Sequence, residues 1–270
     1  MTVLGGILGL VVGITMGLLG GGGSILTVPI FVYVLGIAPK SAIAMSLASV
    51  GATSALGAAS HWRQGSVDLR VAGIFGGFAM VAAFAGARIA KLIPETAQLT
   101  LFGVIVLTSA VLMLRNAQRQ PDEPPPPQLA EQDEPLLDEA PVAPMVPPPG
   151  KELQWGWIAL QGLGVGLLTA IIGVGGGFII VPALVLIGKL SMRQAVGTSL
   201  VVITMNSASG FAGYVGQVPI DWPIVALFAA TAGVGILVGS RFSQRVPQRV
   251  LKQAFAILLL LVGAYVLYRR

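Results

Sequence analysis

The chain has 270 residues, of which 55% are hydrophobic and only 10% charged, and its mean hydropathy is +0.86. A soluble domain carries about 25% charged residues, so a chain this apolar cannot cover a water-facing surface and reads as an all-α polytopic membrane protein. It has no cysteine, one histidine (His61) and a net charge of +5, which excludes disulfide and thiolate chemistry and argues against a His-rich metal site. The basic residues lie in short clusters between apolar runs, the pattern of cytoplasmic loops rather than of a nucleic-acid surface.

The first segment, MTVLGGILGLVVGITMGLL, lacks a positive n-region and an A-x-A-like cleavage site. It is expected to be a first membrane helix, not a cleaved signal peptide. It runs into GGGGSILTVP, where consecutive glycines break a helix at about 1 kcal/mol each against alanine. The next apolar stretch is short and carries Pro29 near its start, where a missing N–H costs little. A third stretch, SAIAMSLASVGATSALGAAS, is rich in small and hydroxyl residues. Then come Gln64 and Asp68, a fourth span ending near Arg88, and a fifth after Pro94.

Between Pro121 and Pro149 lie eleven of the eighteen prolines, and seven of the eleven acids fall between Asp122 and Glu139. Residues 117–152 therefore read as an acidic, Pro-rich linker that cannot bury a core and is expected to be disordered. It divides the chain into 1–116 and 153–270.

Those two parts are one pattern written twice. With a shift of 153 residues and no gap, 9–114 aligns with 162–267, and 28 of the 106 pairs are identical. Biased composition alone gives roughly a tenth. The shared residues include Gly22, Gly23 and Pro29 with Gly175, Gly176 and Pro182. Ser46 pairs with Ser199, Asp68 with Asp221 and Arg88 with Arg241. Each repeat then holds about five helical segments, with a broken or re-entrant pair at the Gly-rich motif. With an odd number of crossings per repeat, eleven Lys and Arg fall on the linker side and five on the other. That places the linker in the cytoplasm and makes the repeats inverted, an arrangement recurrent in secondary transporters.

Backbone that is not helical survives at membrane depth only inside protein or beside a wet cavity. Here it is expected twice, in GGGGSILTVP and GVGGGFIIVP, and the helix starting after each break offers free N–H groups to an anion. Gly22, Gly23, Ser24, Gly175, Gly176 and Gly177 are the expected substrate-binding backbone, with Ser46, Ser199 and Asn206 supplied by the third spans. The competing reading is structural: glycines allow close helix packing, and hydroxyls bond their own backbone. No lysine follows either glycine run, so neither is a Walker-type phosphate loop. Asp68 and Asp221 are candidates for proton coupling, against the simpler role of helix N-caps. Arg88 and Arg241 are candidates for gating, against snorkelling at an interface. His61 beside Trp62 reads as part of an interfacial aromatic belt.

The motifs GLLGGGGSILTVP and AIIGVGGGFIIVP, with the A-x-x-x-S-L pattern at Ala42–Leu47 and Ala195–Leu200, resemble the TauE/SafE sulfite exporter family, or TSUP permeases. The resemblance covers both repeats but not the linker. It implies a secondary transporter, an exporter of sulfite or an organosulfonate such as sulfoacetate, in the inner (plasma) membrane of a bacterium. A passive anion channel of the same fold and a permease for another organic anion remain as alternatives. No cofactor, metal or catalytic set is expected, and the chain does not read as an enzyme. The expected partners are a small anion and the bilayer, with a homodimer left open.

Overall fold

The computed structural model describes residues 2–119, 155–173, 176–186, 190–243 and 248–268. The expected linker overlaps α5 at 117–119, and its remainder, 120–152, and Gly175 fall outside these residues. The described residues are mostly helical, with no strand among them. Four helices are long and apolar enough to cross a membrane: Pro39–Arg63, Leu69–Ala90, Arg193–Tyr214 and Trp222–Phe242. Shorter apolar helices include Leu4–Leu19, Gly21–Val34, Glu95–Val111 and Ile158–Ile172.

The first helix, α1, spans Thr2–Leu19. Glycines then tighten the chain into 3-10 turns over Gly20–Leu26. One α turn, α2 (Thr27–Pro29), follows, and a π-helical stretch covers Ile30–Val34. Pro29 therefore sits inside this 20–34 rod, not at its first turn. Proline has no N–H and disturbs a regular α ladder. The rod accommodates it by changing its spacing: Leu35 N donates to Ile30 O at 3.0 Å and Ile37 N to Phe31 O at 2.9 Å. The rod folds back along α1, since Gly23 lies against Met16 and Thr15 and Gly5 lies near Leu35. Then follow α3 (Pro39–Arg63), α4 (Leu69–Ala90) and α5 (Glu95–Arg119).

After the linker, α6 (Trp155–Ile172) and α7 (Gly177–Leu186) flank the second glycine run. Gly173 and Gly176 there have φ of 80° and 74°, values that glycine adopts without the penalty a Cβ brings. Pro182 again lies inside its helix. The order closes with α8 (Met192–Tyr214), α9 (Trp222–Ser243) and α10 (Gln248–Tyr268).

Packing follows small residues, as expected where lipid removes the hydrophobic drive between helices. The main partners lie across the linker: α1 runs along α9, and α4 along α6. A Cβ on Gly13 would run into the carbonyl of Ala232, and one on Gly166 into the carbonyl of Ala79. Gly9 meets Phe228, and Gly162 meets Phe75. Gly239 lies on Ile14, and Gly86 on Leu167. Each of these contacts joins residues 153 positions from those of its counterpart. The order of contacts makes α1 parallel to α9 and α6 parallel to α4. At the centre, Leu47 meets Gly210, Gly51 meets Ser207 and Gly57 meets Leu200, so α3 and α8 run antiparallel. α5 and α10 pack together, with Phe102, Val106, Leu259 and Val262 in one buried cluster. Large apolar side chains such as Val81, Phe84, Val234 and Leu237 remain exposed. They form the outward faces of α4 and α9, suited to lipid tails.

Candidate functional site

The two glycine runs touch. A Cβ on Gly177 would land on the backbone of Gly21, and one on Gly21 would press on the Cα of Gly177 and the side chain of Ile203. Ile203 lies in the middle of α8. The breaks therefore meet beside the α3–α8 crossing, and only residues without a side chain allow backbones this close. Gly22, Gly23, Gly176 and Gly177 are all buried there.

The helices α3 and α8, which cross there, carry many buried polar side chains. Ser46, Ser49, Thr53 and Ser54 of α3 and Thr198, Ser199, Asn206 and Ser207 of α8 are buried. Several are satisfied locally. Ser24 Oγ donates to Gly21 O at 2.6 Å, Ser199 Oγ to Val196 O at 2.8 Å and Thr53 Oγ1 to Ser49 O at 2.8 Å. Others meet no donor or acceptor of the chain: the hydroxyls of Ser46, Ser49, Ser54 and Ser207 and both amide atoms of Asn206. Each buried polar group without a partner costs about 1–3 kcal/mol. Such groups are few in folded proteins, and each calls for an explanation. Asn206, wholly buried with both ends free, is the clearest case.

Thr27 and Thr169 also have buried hydroxyls with no partner. Thr169 lies under Gly176, and its hydroxyl occupies the space that a Cβ there would need. Neither threonine stands out from the sequence. Their only signal is that hydroxyl residues are scarce in the segments flanking the glycine runs.

No charged side chain among the described residues is buried, so this seam is neutral. It can bind through hydroxyl, amide and backbone dipoles. No group of three or more His, Asp or Glu among the described residues could hold a metal ion.

None of the charged candidates is buried within the seam, though Asp68 borders one end of it. Asp68 caps α4, its Oδ1 accepting from Arg70 N and Val71 N, both at 3.0 Å. Asp221 Oδ1 accepts from Ile224 N at 3.2 Å at the start of α9. Arg88 is exposed, its guanidinium 5.3 Å from the Phe84 ring centroid. Arg241 is exposed in the last turn of α9. His61 departs from the aromatic-belt expectation: Trp62 is exposed, but His61 turns inward and is 2% exposed, with Nδ1 3.1 Å from Ser66 Oγ.

Described residues that are mostly helical, with four helices long and apolar enough to cross a membrane, fit a multi-pass membrane protein. A family model described as Sulfite exporter TauE/SafE matches residues 5–266, and the chain belongs to that family. A probable membrane transporter protein of Xylella fastidiosa strain 9a5c is 31% identical over 263 residues, covering 96% of this chain and 92% of that protein. The probable membrane transporter protein YdhB of Bacillus subtilis is 27% identical over 256 residues, covering 95% and 96%. The probable membrane transporter protein MJ0441 of Methanocaldococcus jannaschii is 23% identical over 278 residues, covering 97% and 93%. No solved structure matches the chain.

Proposed function

We propose that the chain is a secondary transporter that exports a small anion, sulfite or an organosulfonate such as sulfoacetate, across a bacterial plasma membrane. The observation that carries the reading is the meeting of Gly21 and Gly177 against Ile203 of α8, together with the buried polar atoms of Ser46, Ser49, Asn206 and Ser207 on α3 and α8 that lack partners in the chain. The substrate's oxygens would accept from these hydroxyls, from the Asn206 amide and from backbone N–H groups at the breaks, including Gly22, Gly23, Gly175 and Gly176. Ser24 and Ser199 would join by turning from their backbone acceptors. Asp68, Asp221, Arg88 and Arg241 remain candidates for coupling or gating at the ends of the path.

In this reading 1–116 and 153–270 are inverted repeats, each with a re-entrant pair and three spans. The antiparallel run of α3 against α8 supports the inversion, because a two-fold axis in the membrane plane makes equivalent helices antiparallel. The linker then lies in the cytoplasm.

The test uses purified protein in two arms. Thermal melting is recorded with sulfite, sulfoacetate, taurine, sulfate and carboxylates. A ligand at 100 times its Kd raises stability by about 2.7 kcal/mol. Flux of any stabilising anion into proteoliposomes is then measured with and without a proton gradient. Saturable flux that responds to the gradient is expected. Fast, unsaturable, gradient-blind flux would instead make the protein a channel.

A further inference from the structure

The antiparallel α3–α8 pair has two ends built from equivalent residues, and they differ. At one end α3 finishes with His61 and turns through Gln64–Ser66 into Asp68. Ser66 N donates to His61 O at 3.1 Å, and Ser66 Oγ donates to the same carbonyl at 3.0 Å. His61 Nδ1 braces Ser66 Oγ at 3.1 Å. The turn then lies on the first part of α8. The Ser66 carbonyl would be 2.5 Å from a Cβ on Gly197, so glycine alone admits it. Asp68 N donates to Thr198 Oγ1 at 3.0 Å. His61, Ser66 and Thr198 are all buried.

The residues 153 positions away are Tyr214, Pro219 and Asp221, and those that correspond to Gly197 and Thr198 are Ala44 and Met45. Tyr214 is turned to α6, donating to Ala170 O at 3.0 Å. Pro219 has neither N–H nor hydroxyl. Met45 offers no hydroxyl where Thr198 has one, and Ala44 carries the methyl group that position 197 excludes. At this end lies an open cleft of about 600 Å³, lined by Ser41, Met45, Pro219, Ile220, Asp221 and Trp222 among others.

We propose that the 61–68 turn is a latch that seals one end of the α3–α8 seam, and that the opposite end lacks the groups to close in the same way. The resting protein is then shut at the latch and open at the Ser41–Trp222 cleft. The latch bonds must break once per cycle for a solute to pass. Calling the seam a path rests on the transport reading; the one-sided closure does not.

Two measurements separate those claims. Hydrogen exchange on the wild-type full-length protein should show amides in 64–70 exchanging at least tenfold more slowly than those in 217–223. Thr198→Val, which removes the acceptor but keeps the shape, should abolish that difference at Asp68. Equal exchange at both ends of the wild type overturns the latch, whatever the protein transports. The chain has no native cysteine, so Asp68→Cys/Thr198→Cys and Met45→Cys/Asp221→Cys can be oxidised without background. The first pair should cross-link and the second should not. The cross-linked first pair should lose at least tenfold in anion flux and recover it on reduction. Undiminished flux through the cross-linked form overturns the latch as a gate. A wild type that moves no anion but keeps the exchange difference overturns the transport reading and leaves the closure intact.

Discussion

At one end of α3 a serine carbonyl rests on Gly197 and an amide bonds Thr198. At the end of α8 the 219–222 turn and Met45 line an open cleft. Elsewhere equivalent positions behave alike: Gly13 lies on the Ala232 carbonyl as Gly166 lies on that of Ala79. The matched contacts are between backbones and need only a missing side chain. The unmatched ones need a particular hydroxyl, amide or carbonyl. Positions 153 residues apart can thus share backbone contacts while differences at a few side chains give the two ends different strengths.

Paired substitutions break or sharpen that comparison. The largest effect is expected at the breaks. Gly21→Leu and Gly177→Leu each drive a side chain into the opposing backbone, so both should reduce anion flux to background while the protein still inserts. If only one of the two loses flux, the breaks do not act as a pair. Next comes the framework. Gly13→Leu and Gly166→Leu should each lower stability by about 3 kcal/mol, the upper end for overpacking, and by similar amounts in thermal melting. A large inequality would mean that the parallel α1–α9 and α6–α4 contacts are not equivalent.

The third comparison sets Asn206 against its aligned partner Thr53. Asn206→Ala removes two groups without partners, so flux should fall at least tenfold while the melting temperature holds or rises. Thr53→Ala removes a hydroxyl that bonds its own helix and should leave flux within about twofold. A lower melting temperature for Asn206→Ala would make its role structural. The smallest contrast is at the caps. Losing an N-cap costs about 0.5–2 kcal/mol. Asp68→Ala, which removes two acceptances, should cost more than Asp221→Ala, which removes one.

Much of the framework is legible in the residues. The five apolar stretches on each side of the linker appear as helical segments, and the glycine runs interrupt them where the backbone cost predicts. Both carboxylates occupy the cap positions that an acid before an apolar run implies. Other features depend on partners far along the chain. The spacing Gly9–Gly13–Gly17 announces a packing face but not that α9 fills it, because any small-residue surface would fit. Pro29 and Pro182 sit deeper in their helices than a helix-start reading places them, since 3-10 and π spacing extend the first rod on both sides of the proline. His61 beside Trp62 has the pattern of an interface pair. Only the fold of Ser66 back onto α3 turns it inward. The free hydroxyls of Thr27 and Thr169 cannot be told from satisfied ones until the neighbouring backbone is placed.

The pairing of α1 with α9 also sets an order of assembly. Roughly two hundred residues separate the end of α1 from the start of α9, and at about 5–20 residues per second a ribosome needs some 10–40 s to cross that distance. Throughout that interval the glycine face of α1 has no final neighbour. The matching face of α4 waits only for α6, so the second of the two equivalent interfaces is completed first. Contacts that match at a spacing of 153 residues are therefore completed at different times, and α1, made before α4, waits longer than α4 for its partner.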